Sequence, residues 1–269
     1  MSFGSAKMFP ACVNNFVERY ADSRSKNFFL AATVWEPLGL IVVYLLFVKK
    51  IGPALMEKRK PYDAKKWIIV FDIIQIVSNF YLALKIILVI SDSESPISCL
   101  ELDFTNSYQG TVQVHLAYFY YLLKVSDLMD TVFFIVKKNF RQVSYLHVFH
   151  HSLMVFMGWM GLKLAPGGHS AYFGLANGVV HTVMYSYYLI CAYDTNFKNT
   201  LGVKKFVTQL QLVQFLFIFV IYAMALRPSC GFSKIVSVLA IMESSYFMYL
   251  FGNFYIDSYI RPKKGVKQQ

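Results

Sequence analysis

The sequence predicts an all-α polytopic membrane protein that crosses the bilayer seven times. Three observations lead there. Hydrophobic residues make up 57% of the 269 positions and charged residues only 15%, against roughly 25% charged in a soluble domain. Seven separate apolar runs are each long enough to cross. The loops between them alternate in basic charge.

The runs cover residues 28–48, 67–90, 114–136, 145–164, 171–193, 206–226 and 235–260. They leave residues 1–269 as a single membrane domain without internal repeat. The segment before residue 28 lacks the apolar core and cleavage site of a signal peptide, so the first span is expected to be its own insertion signal. The loop after it holds Lys49, Lys50, Lys58, Arg59, Lys60, Lys65 and Lys66. The second loop holds Asp92, Glu94, Glu101 and Asp103 without a basic residue. The third carries Lys137, Lys138 and Arg141, and the fourth carries no charge. The fifth has Lys198, Lys204 and Lys205, the sixth only Arg227 and Lys234, and the tail has Arg261, Lys263, Lys264 and Lys267. Odd loops and the C-terminus therefore face the cytosol and the N-terminus faces the lumen. Lys7, Arg19, Arg24 and Lys26 run against that bias and are partly offset by Glu18 and Asp22. The net charge of +11 follows from this topology and implies no nucleic acid. On the lumenal side Cys99 and Cys230 are able to pair, with Cys12 as a competitor. Cys191 is expected to pack.

Polar residues inside the spans carry the functional signal, because such groups are costly at membrane depth. His147, His150 and His151 stand at i, i+3 and i+4 and share one helical face. Lys124, Asp127 and Asp130 recur every third residue, and pairing of Lys124 with Asp127 would lower their cost. His181 and Tyr185 share a face, followed by Tyr187 and Tyr188. Thr208, Gln211 and Gln214 form another stripe, suited either to interhelical hydrogen bonds or to a substrate. At 1.5 Å per residue, Asp130, His150 and Gln211 lie roughly 8–9 Å from the cytosolic ends of their helices, and His181 and Lys124 about 18 Å. The lumenal halves read as mostly apolar. A polar chamber open to the cytosol and closed by a greasy tunnel suits a long-chain lipid with an anionic handle.

Four motifs in this order resemble the fatty acid elongases, membrane-embedded 3-ketoacyl-CoA synthases of the endoplasmic reticulum. They are Lys124-x-x-Asp127-x-x-Asp130-Thr131, His147-x-x-His150-His151, His181-x-x-Met184-Tyr185-x-Tyr187-Tyr188 and Thr208-x-x-Gln211-x-x-Gln214. The segment from Gly52-Pro53 to Arg59-Lys60-Pro61 is similar too, so the resemblance spans the chain. Two positions depart from the pattern. Asp127 stands where the family usually has Glu, and Phe71-Asp72 where a Tyr-Asn pair is usual.

The resemblance implies decarboxylative condensation of an acyl-CoA with malonyl-CoA, giving a 3-ketoacyl-CoA two carbons longer. It implies six helices ringed around an acyl tunnel open to the cytosol, a seventh outside, and a lumenal disulfide, which favours Cys99 with Cys230. His150 is expected to attack the thioester and hold the acyl group, in ping-pong order. His147 and His151 would orient it or bind malonyl-CoA, His181 would assist as acid, base or enolate stabiliser, and Asp130 would fix a tautomer. Lys124, Asp127, Tyr187, Gln211 and Gln214 would support the site. Arg59, Lys137, Lys138, Arg141, Lys204 and Lys205 are candidates for CoA phosphates. No cofactor or metal is expected. Acyl-CoA, malonyl-CoA and membrane lipid are the expected partners, with a second copy and later enzymes of the elongation cycle as further candidates. The histidine box also occurs in di-iron lipid desaturases and hydroxylases, but this chain has six histidines, with His115 and His169 on the lumenal side. Receptors and transporters share the helix count, yet they give no reason for three imidazoles on one face.

Overall fold

Helices account for all the regular structure in a computed structural model describing residues 19–93, 99–194, 196–197 and 200–261. Lys7, Cys12, Glu18, Glu94, Lys198, Lys263, Lys264 and Lys267 lie outside the described residues. In chain order the helices are α1 (Trp35–Glu57), α2 (Lys65–Ser91), α3 (Tyr108–Ser126), α4 (Met129–Val136), α5 (Tyr145–Leu164), α6 (Ser170–Tyr193), α7 (Leu201–Ala225) and α8 (Lys234–Ile260). Four of them, α1, α2, α7 and α8, are long and apolar enough to cross a membrane. At 19, 20 and 24 residues, α3, α5 and α6 are long enough too but more polar. They carry most of the polar residues singled out above.

The chain divides into two compact units. One comprises residues up to Tyr62 with Leu102–Gly167, and the other Asp63–Glu101 with residues from Gly168 onward.

In the first unit, α1 begins at Trp35 rather than at residue 28, and the reason is local. Tyr118 donates to the Phe29 carbonyl at 3.2 Å, Tyr121 to that of Leu30 at 2.6 Å, and the Trp159 indole to that of Ala31 at 3.2 Å. These carbonyls are spent on side chains, and Leu30 sits at a φ of 60°, so residues 28–34 stay in turns. Pro37 falls in the first helical turn, where its missing N–H costs nothing. Further on, α1 passes Pro53 by widening into a π turn over Phe47–Ile51, with the Gly52 N–H on the Phe47 carbonyl; such a turn absorbs a proline without breaking the helix.

The span expected over 114–136 is broken. Helix α3 stops at Ser126 and α4 starts at Met129. The Ser126 hydroxyl takes the Leu123 carbonyl at 2.7 Å, and the Asp130 N–H bonds the Asp127 carbonyl three residues back. Side-chain competition for carbonyls tightens the backbone here. Helices α3 and α5 pack on each other through the buried Val114 and Tyr121 of the first and Val155, Trp159 and Leu162 of the second. Outside the spans, Arg24 ties Asp22 to the carbonyl of Asp103. Hydroxyls of Ser107 and Thr105, with the charge of Arg24 as a smaller cause, hold the Asp103 carboxyl below the ordinary range.

The second unit rests on α2 against α6. Gly178 lets them approach: a Cβ there would lie 3.0 Å from the Asn79 carbonyl oxygen. The buried face of α2 is Asp72, Gln75, Asn79, Leu82, Ala83 and Ile86, whereas Trp67, Val70, Ile74, Val77 and Phe80 point outward. Polar inside and apolar outside is the pattern of a helix in lipid. Helices α7 and α8 interlock through Phe215, Phe247 and Phe251, with ring centroids 5.5 and 5.1 Å apart.

At the loop end of this unit Cys99 and Cys230 form a disulfide with a Cα separation of 5.4 Å. Beside it the fully buried His169 accepts the Leu100 N–H on Nδ1 at 2.8 Å. Gly168, at a φ of +54°, turns the chain so closely that a Cβ would lie 2.8 Å from the Leu100 carbonyl. Burial pushes the His169 imidazole below its ordinary value. The Leu100 contact opposes this, and Arg227 and Lys234 add to it. Cys191 is a buried free thiol.

Replacing Cys230 with Ser is expected to cost about 2–4 kcal/mol of stability, read as a lower Tm in detergent. A depressed histidine favours the folded state above the unfolded pKa of about 6.5 and loses that contribution as pH falls through the lower folded value. Tm should therefore drop as pH is lowered below about 6.5, and His169→Gln should flatten that slope.

Candidate active site

In the first unit, Ser144 caps α5 by accepting the His147 N–H at 3.2 Å. The cap fixes where the helix begins, and with it where the box stands. His147, His150 and His151 then occupy its first two turns. The His147 and His151 rings lie 4.3 Å apart between centroids, and those of His150 and His151 5.3 Å. His151 is buried, and the other two are partly so.

Two other helices reach the box. His147 Nε2 is 2.8 Å from Thr131 Oγ1 of α4, and Thr131 Oγ1 is 2.8 Å from the hydroxyl of Tyr44 on α1. Phe134 packs on the same imidazole, with centroids 5.2 Å apart. Tyr44 escaped the sequence reading because one tyrosine in an apolar run looks like packing; only the fold gives it a partner.

At the α3–α4 break, Lys124 Nζ lies 2.7 Å from Asp127 Oδ2, and both side chains are buried. The expected pairing is therefore present, over a helix end rather than along a straight stripe. Gly158 of α5 leaves room for the lysine stem, with Lys124 Cγ 3.6 Å from where a Cβ would be. Asp130 is also buried.

In the second unit, His181 and Tyr185 are buried with centroids 5.7 Å apart, and Tyr188 stands edge-on to Tyr185 at 5.8 Å. Tyr187 packs against Tyr188 and Phe197. Gln211 reaches Met184 Sδ at 3.7 Å, Gln214 is buried, and Thr208 contacts the Tyr259 hydroxyl at 3.3 Å. Part of the Thr208–Gln214 stripe is thus spent on helix contacts. The candidate residues form two groups, one in each unit.

Of the basic candidates, Arg59, Lys137 and Arg141 are exposed in the first unit, and Lys205 is exposed and Lys204 partly buried in the second. Lys138 takes a φ of 56° at the cap of α4, a position glycine usually holds, and donates to the Glu57 carbonyl at 3.1 Å. It borders a cavity of about 450 Å³ lined also by Pro53, Met56 and Phe140.

Buried polar groups do not stop at the helix halves expected to face the cytosol, contrary to expectation. Asn177, Glu243 and Lys163 are all buried nearer the other ends. Lys163 donates to the Ser25 carbonyl at 2.9 Å. Glu243 stands alone in an apolar run and was visible in the sequence. Asp72 is buried, and its Oδ2 has no partner among the described residues; nothing in the structure explains it. The donor atoms of Cys99, Cys230 and His169 lie within 4.8 Å of one another, but the two sulfurs are bonded to each other.

The profile of the GNS1/SUR4 family, also called ELO, matches residues 29–267. This chain belongs to the ELO family. Among its curated relatives, a very long chain fatty acid elongase of Aedes aegypti is 36% identical over 94% of this chain and 71% of its own length. Very long chain fatty acid elongase 1 of Mus musculus is 33% identical, over 94% of this chain and 92% of its own. Elongase 7 of Rattus norvegicus is 33% identical over 91% and 88%. The profile match spans the positions of every motif described above. As an ELO-family chain with four helices apolar enough to cross a bilayer, it is a membrane protein.

Lys124→Met should strand a buried carboxylate at Asp127 and destabilise the protein by about 3–5 kcal/mol. Adding Asp127→Leu should recover most of that loss, as read by thermal unfolding in detergent.

Proposed function

We propose that this chain elongates long and very long acyl chains, condensing an acyl-CoA with malonyl-CoA. The observation that carries the reading is the imidazole cluster at the start of α5 in a chain matched almost throughout by the ELO profile. A neutral imidazole is a competent nucleophile toward a thioester. His150 attacks the acyl carbonyl, CoA leaves as its thiolate and takes up a proton, and the acyl group stays on the ring nitrogen. Malonyl-CoA then loses carbon dioxide, and the electron pair left at C2 attacks the acyl carbonyl. The 3-ketoacyl-CoA departs and the imidazole is restored. Decarboxylation itself makes the carbanion, so no strong base is called for.

His151 orients the nucleophile, and His181 acts as acid–base group or enolate stabiliser. Asp130, Lys124 and Asp127 support the first unit's residues, and Tyr187, Gln211 and Gln214 those of the second. Lys137, Lys138, Arg141, Arg59, Lys204 and Lys205 receive CoA phosphates, which suits charge-assisted contacts. The reading includes a single membrane domain of seven spans, six of them ringed around the acyl chain, without a cofactor. It also includes residence in the endoplasmic reticulum with the N-terminus lumenal. The Cys99–Cys230 disulfide supports that orientation, since such bonds persist in oxidising compartments.

The test is the purified protein with a ladder of acyl-CoAs and labelled malonyl-CoA. One carbon dioxide per 3-ketoacyl-CoA is expected, with His150→Ala lower by at least about a hundredfold. Absence of product with every acyl-CoA would overturn the reading. Neutralising Lys137 and Arg141 together should raise KM for acyl-CoA about tenfold; an unchanged KM would remove them from the CoA site.

A further inference from the structure

The chain of contacts from Tyr44 through Thr131 to His147 has a definite proton arrangement. Tyr44 is 5% and Thr131 0% exposed, so water does not compete for either hydroxyl. Among the described residues the Tyr44 hydroxyl meets only Thr131 Oγ1. Thr131 Oγ1 meets Tyr44 and His147 Nε2, at 2.8 Å each. It makes no bond back to a carbonyl of its own helix, as threonines in helices often do.

Three arrangements fit three such atoms. A threonine oxygen has two lone pairs, so Thr131 could accept from both Tyr44 and the His147 Nε2–H, but its own proton would then be buried without an acceptor. Two arrangements remain. In the first, Tyr44 donates to Thr131, and Thr131 gives its single proton to His147 Nε2, which accepts. In the second, His147 donates from Nε2 to Thr131 and Thr131 donates to Tyr44. The second leaves the Tyr44 proton buried without an acceptor, an arrangement that interiors penalise. The first uses both hydroxyl protons.

We infer that Tyr44, on a helix bearing none of the histidine, tyrosine or glutamine motifs, is a positioning residue that locks His147 as the Nδ1–H tautomer with Nε2 engaged. The consequence bears on the whole box. A ring whose one nitrogen carries a proton and whose other lone pair is held by a hydroxyl has nothing to offer a thioester carbonyl. His147 is thereby withdrawn from nucleophilic duty, and the choice narrows to His150 and His151. What His147 supplies is a fixed plane, 4.3 Å from the His151 ring. This inference rests on the condensation reading for its kinetic consequence, but the tautomer itself is independent of it.

The experiment uses the full chain labelled with ¹⁵N-histidine in lipid nanodiscs. The His147 signals are identified by their loss in His147→Gln. Wild type should show a protonated Nδ1 and an unprotonated, hydrogen-bonded Nε2. Tyr44→Phe and Thr131→Val should give mixed or reversed tautomers, whereas Thr131→Ser should keep the wild-type pattern and so control for folding. In the condensation assay Tyr44→Phe should lower kcat about tenfold with KM for acyl-CoA unchanged, and Thr131→Ser should stay near wild type. A protonated Nε2 in wild type, or an unaltered tautomer in Tyr44→Phe, would overturn the lock. Wild-type protein without condensation activity would sink the parent reading alone, since the ¹⁵N signals still decide the tautomer.

Discussion

A polar group placed inside an apolar helix is costly unless it finds a partner there, because lipid offers none. Much of this fold follows from that constraint. Lys124 and Asp127 neutralise each other at 2.7 Å where α3 gives way to α4. The same break sets the start of α4 and brings Thr131 to His147. On α2 the constraint turns the helix inside out, with Gln75 and Asn79 buried against α6 and a row of large apolar side chains outward. Polar residues in the spans are thus both the cost of the fold and the material of the site.

The constraint also divides labour among the helices. The four most apolar ones, α1, α2, α7 and α8, need little but length to cross. Most of the imidazoles are borne by α3, α5 and α6, and the Lys124–Asp127 pair sits at the end of α3, held by caps, pairs and ring contacts. Ser144 is an example. One hydroxyl at the head of α5 fixes the register of three histidines at once. Tyr44 is another, acting on His147 at one remove through a threonine.

The apolar runs were enough to locate most of the helices. The 145–164 run reappears as α5 with the same bounds, because its serine cap and continuous helical pattern agree. The Lys124–Asp127 pair was legible from spacing, and the histidine box from density alone. Residues 28–34 misled because their composition is apolar, while their carbonyls are claimed by Tyr118, Tyr121 and Trp159, up to 128 positions away. The break after Ser126 was hidden for a related reason, since competition for a carbonyl by a hydroxyl leaves no trace in hydropathy. Tyr44 was illegible because its role depends on two other helices. Glu243 and Lys163 were legible as ionisable residues in apolar runs, but each stands by itself, outside any helical stripe.

The claim at the centre of this account is that a ring nitrogen of His150 carries the acyl group. Its most direct test is to incubate the purified protein with acyl-CoA alone, follow free CoA, and map the adduct by peptide mass spectrometry after rapid acid quench. The account predicts a burst of CoA stoichiometric with enzyme and an acyl mass on the peptide holding His150, lost in His150→Ala. An adduct on another residue, or CoA appearing only once malonyl-CoA is added, would contradict it.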